Sequence, residues 1–67
     1  MKKKYIARIE TPNGRVCFVF ESEHRSNSIS NYIDARATWY DIHGYRPQVI
    51  NTYLAKDCDE PVGMILS

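Results

Sequence analysis

Four side chains able to bind a metal or attack an electrophile stand far apart along the chain: Cys17, His24, His43 and Cys58. A structural zinc site usually supplies its ligands in close pairs, C-x₂₋₄-C or H-x₃₋₅-H. No two of these four lie that close, so no metal is expected. Cys17 beside either histidine would make a nucleophile and a base. No motif surrounds it, however, and its alternating place in a strand-like run explains it as a small apolar filler. His43 is accounted for by the helix dipole, since it falls in the last turn of a helical pattern. With two cysteines and no N-x-Ser/Thr sequon, reduced thiols are the simpler reading; a Cys17–Cys58 bridge would close a long loop. Gly14 and Gly44 are isolated and form no phosphate-cradling pattern. The acidic run Asp57 to Glu60 lacks the spaced oxygen donors and glycine of a calcium loop and reads as a solvated turn. Neither catalysis nor a cofactor is expected from these residues.

The cations raise a different chemistry. Lys2, Lys3 and Lys4 precede Tyr5, and Arg8, Arg25, Arg36 and Arg46 follow. Phosphates are contacted by Lys and Arg, and bases stack on tyrosine rings. A nucleic-acid interface built from Lys2, Lys3, Lys4, Arg8 and Tyr53 is therefore one reading. Against it, nine bases are offset by eight acids, and no helical segment carries a run of Lys or Arg suited to a major groove. Arg36 is notable because it interrupts an apolar helical arc, where it must snorkel, pair with an acid or meet a ligand. Arg36 and Trp39 are of the types enriched at binding hot spots, and both are candidate contact residues.

These residues must be positioned by a small set of elements. Two strand-like segments between Lys4 and Glu21 flank Thr11-Pro12-Asn13-Gly14, a strong hairpin signal. Pairing Pro12 with Arg15 places Tyr5, Ala7 and Ile9 on one face with Val16, Phe18 and Phe20. A three-residue loop pairing Thr11 with Arg15 suits the proline better but sets Arg8 and Glu10 beside Phe18 and Val16; the first register is favoured. After Glu21 the apolar period becomes helical, with Ile29, Ile33, Ala37 and Tyr40 on one stripe and Tyr32, Ala35 and Trp39 on its flank. Ser26, Asn27 or Ser28 is expected to cap the N-terminus, and Gly44 the C-terminus. Gln48 to Lys56 alternates as a third strand, and 62–66 is a short fourth.

The 67 residues, 43% hydrophobic and 25% charged, describe one small domain over 1–67. The longest apolar runs, Val16 to Phe20 and Met64 to Leu66, are far too short to span a bilayer, and the lysines are not followed by a signal-peptide apolar region. A cytoplasmic location without membrane contact is expected. The pattern predicts an α+β, two-layer fold, in which one helix covers one face of a three- or four-stranded antiparallel sheet of order 2-1-3-4. In length and plan the chain resembles many small accessory proteins of phages and plasmids, a likeness of size that transfers no residue role.

One helix leaves the second sheet face uncovered. Alternation sends Ile6, Arg8, Cys17, Val19, Val49 and Tyr53 there, a mixed surface with an apolar centre of the kind that makes contacts. The expected function is thus a non-catalytic protein-interaction module, an adaptor, inhibitor or accessory protein that forms a homodimer or binds another protein. Its candidate contact residues are Ile6, Arg8, Val19, Val49, Tyr53, Arg36 and Trp39.

Overall fold

The computed structural model describes residues 1–66. Five elements follow in order: β1 (Lys3–Thr11), β2 (Gly14–Ser22), α1 (Ile29–His43), β3 (Gln48–Leu54) and β4 (Ile65–Leu66). The four strands form one antiparallel sheet with α1 against one face, the α+β two-layer plan expected from the sequence.

The hairpin pairs Thr11 with Gly14, so its loop is Pro12-Asn13. Relative to the expected register the pairing has slid by two residues. A slide of two preserves the faces but changes the pairs: Ile9, expected opposite Phe18, meets Val16, while Ala7 meets Phe18 and Tyr5 meets Phe20. The physical reason is Pro12, which has no N–H for a ladder and is suited to the second position of a turn. Asn13 N–H donates to Thr11 Oγ1 (3.2 Å), whose hydroxyl in turn donates to Gly14 O (2.6 Å). Gly14 takes φ +115°, a conformation that costs glycine little.

The core forms between the sheet's inner face and α1. Tyr5, Ala7, Ile9, Phe18 and Phe20 meet Ala35 and Trp39, with Val16 and Val49 packed at the margin. Phe18 sets its ring edge-on to Trp39 with centroids 5.1 Å apart. Ser28 caps the helix by accepting Asn31 N–H, and Gly44, at φ 84°, closes it by donating to Tyr40 O.

Three expectations are corrected. The first concerns β4, which joins β2 and not β3, giving the order β3-β1-β2-β4. Part of β3's outer edge is already occupied: Thr52 N–H donates to Asn27 Oδ1 (2.9 Å), and Ile50 O accepts from Tyr32 Oη (3.3 Å). On β2, by contrast, Val19 N–H and C=O are open to the returning chain, and they bond Met64 O and Gly63 N.

The second concerns β3. The register of β1 against β3 shifts between Arg8 and Ile9, so that Val49 opposes Ile9 and Ile50 has no opposite number. This bulge turns Val49 toward the helix side, where it packs against the core, and removes it from the outer face.

The third is the rotation of α1. The buried side is Asn31, Ala35 and Trp39, while Ile29, Ile33 and Tyr40 face solvent. Trp39, a candidate contact residue whose apolar flank also suits core filling, is 3% exposed. A polar network fixes this orientation. Asn31 is fully buried; its Oδ1 accepts the Thr52 hydroxyl (2.5 Å) and its Nδ2 donates to His24 O (2.9 Å). Asn27 N–H donates to Thr52 Oγ1 (2.9 Å), and Ser22 Oγ donates to Asp34 Oδ2 (2.6 Å). Turning Ile29 and Ile33 inward would gain about 3–6 kcal/mol at about 1.5–3 kcal/mol per buried side chain. It would also strand the Thr52 and Ser22 hydroxyls at about 1–3 kcal/mol each, take Asn31 Nδ2 from His24 O, and withdraw the large indole of Trp39 from the core. The second sum exceeds the first, and the polar residues set the angle.

A groove beside the helix

The outer sheet face, expected to be open, is crossed by chain. Between β3 at one edge and β4 at the other, residues 55–64 traverse the sheet. Ala55 N–H bonds Lys4 O, and Lys4 Nζ, which shares the outer face with Ile6, donates to Glu60 O (2.7 Å). Val19 is consequently fully buried and Ile6 half-buried. Arg8 stays exposed, 3.5 Å from Asn51 Oδ1, and Tyr53 is 44% exposed. Of the seven candidate contact residues, only Ile6, Arg8 and Tyr53 thus share an accessible outer surface. Arg36 lies across the molecule on α1, and Val19, Val49 and Trp39 contribute to packing.

The Cys–His candidates are not brought together. Cys17 sits half-buried on the outer face opposite Arg8. His43 lies on the other side of the sheet, its ring stacked on Trp39 at 3.8 Å between centroids. His24 borders a third place, a hollow of about 350 Å³ shared with Glu21, Asp34 and Asp41. Cys17 and Cys58 are both free thiols. Among the described residues, no three His, Cys, Asp or Glu side chains converge as metal binding would need, and no helix is long and apolar enough to cross a membrane.

Of the N-terminal cations in the nucleic-acid reading, Lys4 has a partner of its own, and Lys2 lies near acids. Lys2 borders the hollow containing Glu21 and Asp41, the N-terminal ammonium lies 3.8 Å from Glu23, and Lys4 is bound to Glu60 O. Tyr53 lies opposite Ile6 on the outer face, flanked along β1 by Lys4, which is bound to Glu60 O, and by Arg8.

A larger hollow lies elsewhere, between the outward flank of α1 and the start of β3. It is an open groove of about 550 Å³ walled by Ile29, Ile33 and Arg36 on one side and Arg46, Pro47 and Val49 on the other. Each wall follows from local chemistry. Ile29 and Ile33 stand one helical turn apart, so they form a ridge with Arg36 and Tyr40. Pro47 is buried at the entry to β3, and the bulge brings Val49 to this side. Arg46 is fixed by stacking its guanidinium over the Tyr40 ring, 4.5 Å from the centroid. Ile29 is 82% exposed, Ile33 56% and Tyr40 43%, so the ridge is continuous with the groove and open to solvent.

Sequence reasoning took Ile29, Ile33 and Tyr40 as core and did not single out Arg46 as a contact residue. One signal pointed the right way: Arg36 within the same stripe belongs to a side that faces water. No protein-family model, no curated protein and no solved structure matches this chain.

Proposed function

We propose that the chain is a non-catalytic protein-binding module, and that it makes contact through the outward side of α1 and the groove beside it. The observation that carries this reading is the inverted helix: α1 buries Asn31 and holds Ile29, Ile33 and Tyr40 in solvent. Contiguous exposed apolar surface of this kind marks contact sites on proteins, whereas single exposed side chains are ordinary. A homodimer through the outer sheet face has less to recommend it, because Val19 and Val49 are withdrawn from that face. The nucleic-acid reading through Lys2, Lys3, Lys4, Arg8 and Tyr53 is weakened because Lys4 is bound to a backbone carbonyl and Lys2 borders a hollow lined by acids that repel phosphate. A cytoplasmic setting belongs to the same proposal, resting on the free thiols and the absence of a membrane-crossing helix among the described residues.

The ridge from Ile29 to Tyr40 spans about 16 Å at about 1.5 Å per residue, so displayed random peptides of about 12 residues are long enough to cover it. A library of them is selected on the immobilised protein and screened against Ile33→Glu. Peptides that bind the parent and not the variant are expected. A selection yielding no peptide, or only peptides indifferent to Ile33→Glu, refutes the reading. A single-stranded oligonucleotide bound with steep salt dependence and lost on replacing Lys2, Lys3 and Lys4 would put the nucleic-acid reading in its place.

A further inference from the structure

The proposed binding surface also has a charge. Its charged walls, Arg36 and Arg46, are both cations, and no Asp or Glu lines the groove. The acids of α1 point elsewhere: Asp34 is bound to Ser22, and Asp41 borders the hollow that holds Glu21 and Lys2. Among the described residues the salt bridges are Met1–Glu23 and Arg15–Glu10, so neither Arg36 nor Arg46 has a carboxylate of its own. In a chain of net charge +1, two unpaired guanidinium groups across one apolar groove are a local field that the composition does not reveal.

From this geometry we infer that the groove takes a polypeptide segment carrying both aliphatic or aromatic side chains and carboxylates. The apolar side chains lie against Ile29, Ile33 and Val49, and the carboxylates reach Arg36 and Arg46. The inference rests on the protein-binding reading given above. Arg46 is already oriented on Tyr40, so less side-chain freedom is lost when a carboxylate meets its fork of N–H donors. The shape selects a segment over a small molecule. Ligand pockets typically enclose most of their ligand, whereas this groove is open and runs on into the exposed ridge of Ile29, Ile33 and Tyr40. A second copy of this chain is a poor occupant. A two-fold contact centred on the ridge would set Arg36 and Arg46 against the same residues of the copy, with no carboxylate on the patch to separate them.

The test uses the peptides retained by the parent and lost with Ile33→Glu, labelled with fluorescein and titrated by anisotropy. Their sequences are expected to be enriched in Asp and Glu next to Leu, Ile or Phe. Arg36→Ala with Arg46→Ala should weaken binding about tenfold, as two partly exposed charge pairs would. The conservative pair Arg36→Lys with Arg46→Lys should recover part of it, and added salt should weaken the parent more than the doubly truncated protein. All three substituted residues are exposed, so the variants are expected to keep the fold, and urea midpoints of each verify that. Peptides that need Ile33 but are neutral or basic, or that bind the arginine-truncated protein as well as the parent, overturn the acidic occupant while leaving the protein-binding reading intact. Peptides that never depend on Ile33 overturn both.

Discussion

The rotation of α1 rests on the bond between Asn31 and Thr52, and removing it should expose that dependence. Both side chains are at most 1% exposed. Asn31→Ala deletes the acceptor of the Thr52 hydroxyl and the donor to His24 O. At about 1 kcal/mol for each bond, plus about 1–3 kcal/mol for the buried groups left unpaired, the gross loss is about 3–5 kcal/mol. Alanine returns about 0.5 kcal/mol through its helix propensity, leaving a net cost of about 2.5–4.5 kcal/mol. Thr52→Val keeps the branched shape of the strand residue but strands Asn31 Oδ1 and Asn27 N–H, and should cost about 2 kcal/mol. The double variant should cost less than the sum by about 1 kcal/mol, because each single variant leaves an orphan that the other removes. A domain of this length has about 3–10 kcal/mol of stability in all, so either variant should lower the urea midpoint visibly and the Tm by about 10–20 °C. Urea unfolding of the four proteins of the cycle, followed by Trp39 fluorescence, measures all three quantities. Single variants that each cost under about 0.5 kcal/mol, a value typical of surface changes, would refute the claim that this network sets the helix angle.

Other substitutions read out the remaining elements. Gly14→Ala forces an L side chain to φ +115° in open space, and should cost about 1 kcal/mol through the backbone alone. Pro12→Thr should cost a few tenths to about 1 kcal/mol by freeing the unfolded chain, since Pro12 sits in the loop and gives up no ladder bond; stabilisation would point to a register in which it is paired. Val19→Lys should destabilise by at least about 3 kcal/mol because it buries a charge under residues 55–64, whereas Tyr53→Lys on the exposed part of the same face should stay within about 0.5 kcal/mol; equal midpoints would mean the outer face is open. Alkylation of the unfolded protein without reductant should label both Cys17 and Cys58, and an intact mass two hydrogens short would reveal a bridge instead.

What the sequence determined by itself is local. Thr11-Pro12-Asn13-Gly14 defined the turn, and strict alternation placed Tyr5, Ala7, Ile9, Val16, Phe18 and Phe20 on one face, because a register slide of two residues leaves side-chain direction unchanged. Gly44 marked the end of the helix through its φ preference, and Ser26, Asn27 and Ser28 bracketed the start, where the structure gives the cap to Ser28. From these a one-helix α+β plan follows. The tertiary structure alone decided which side of α1 is core. An apolar count over the helix favours Ile29 and Ile33, but Asn31, Asp34 and Ala35 have partners only when Thr52, Ser22 and the sheet are in place. It also decided the edge taken by β4, since Asn27 and Tyr32 occupy part of β3's edge from a loop and a helix distant in sequence. The bulge that carries Val49 inward depends likewise on how β1 and β3 pair across the chain. Period and capping are properties of neighbours along the chain, whereas rotation, edge and bulge are set by polar groups that must find partners far away in sequence. The candidate groove exists because those partners turned the apolar stripe outward.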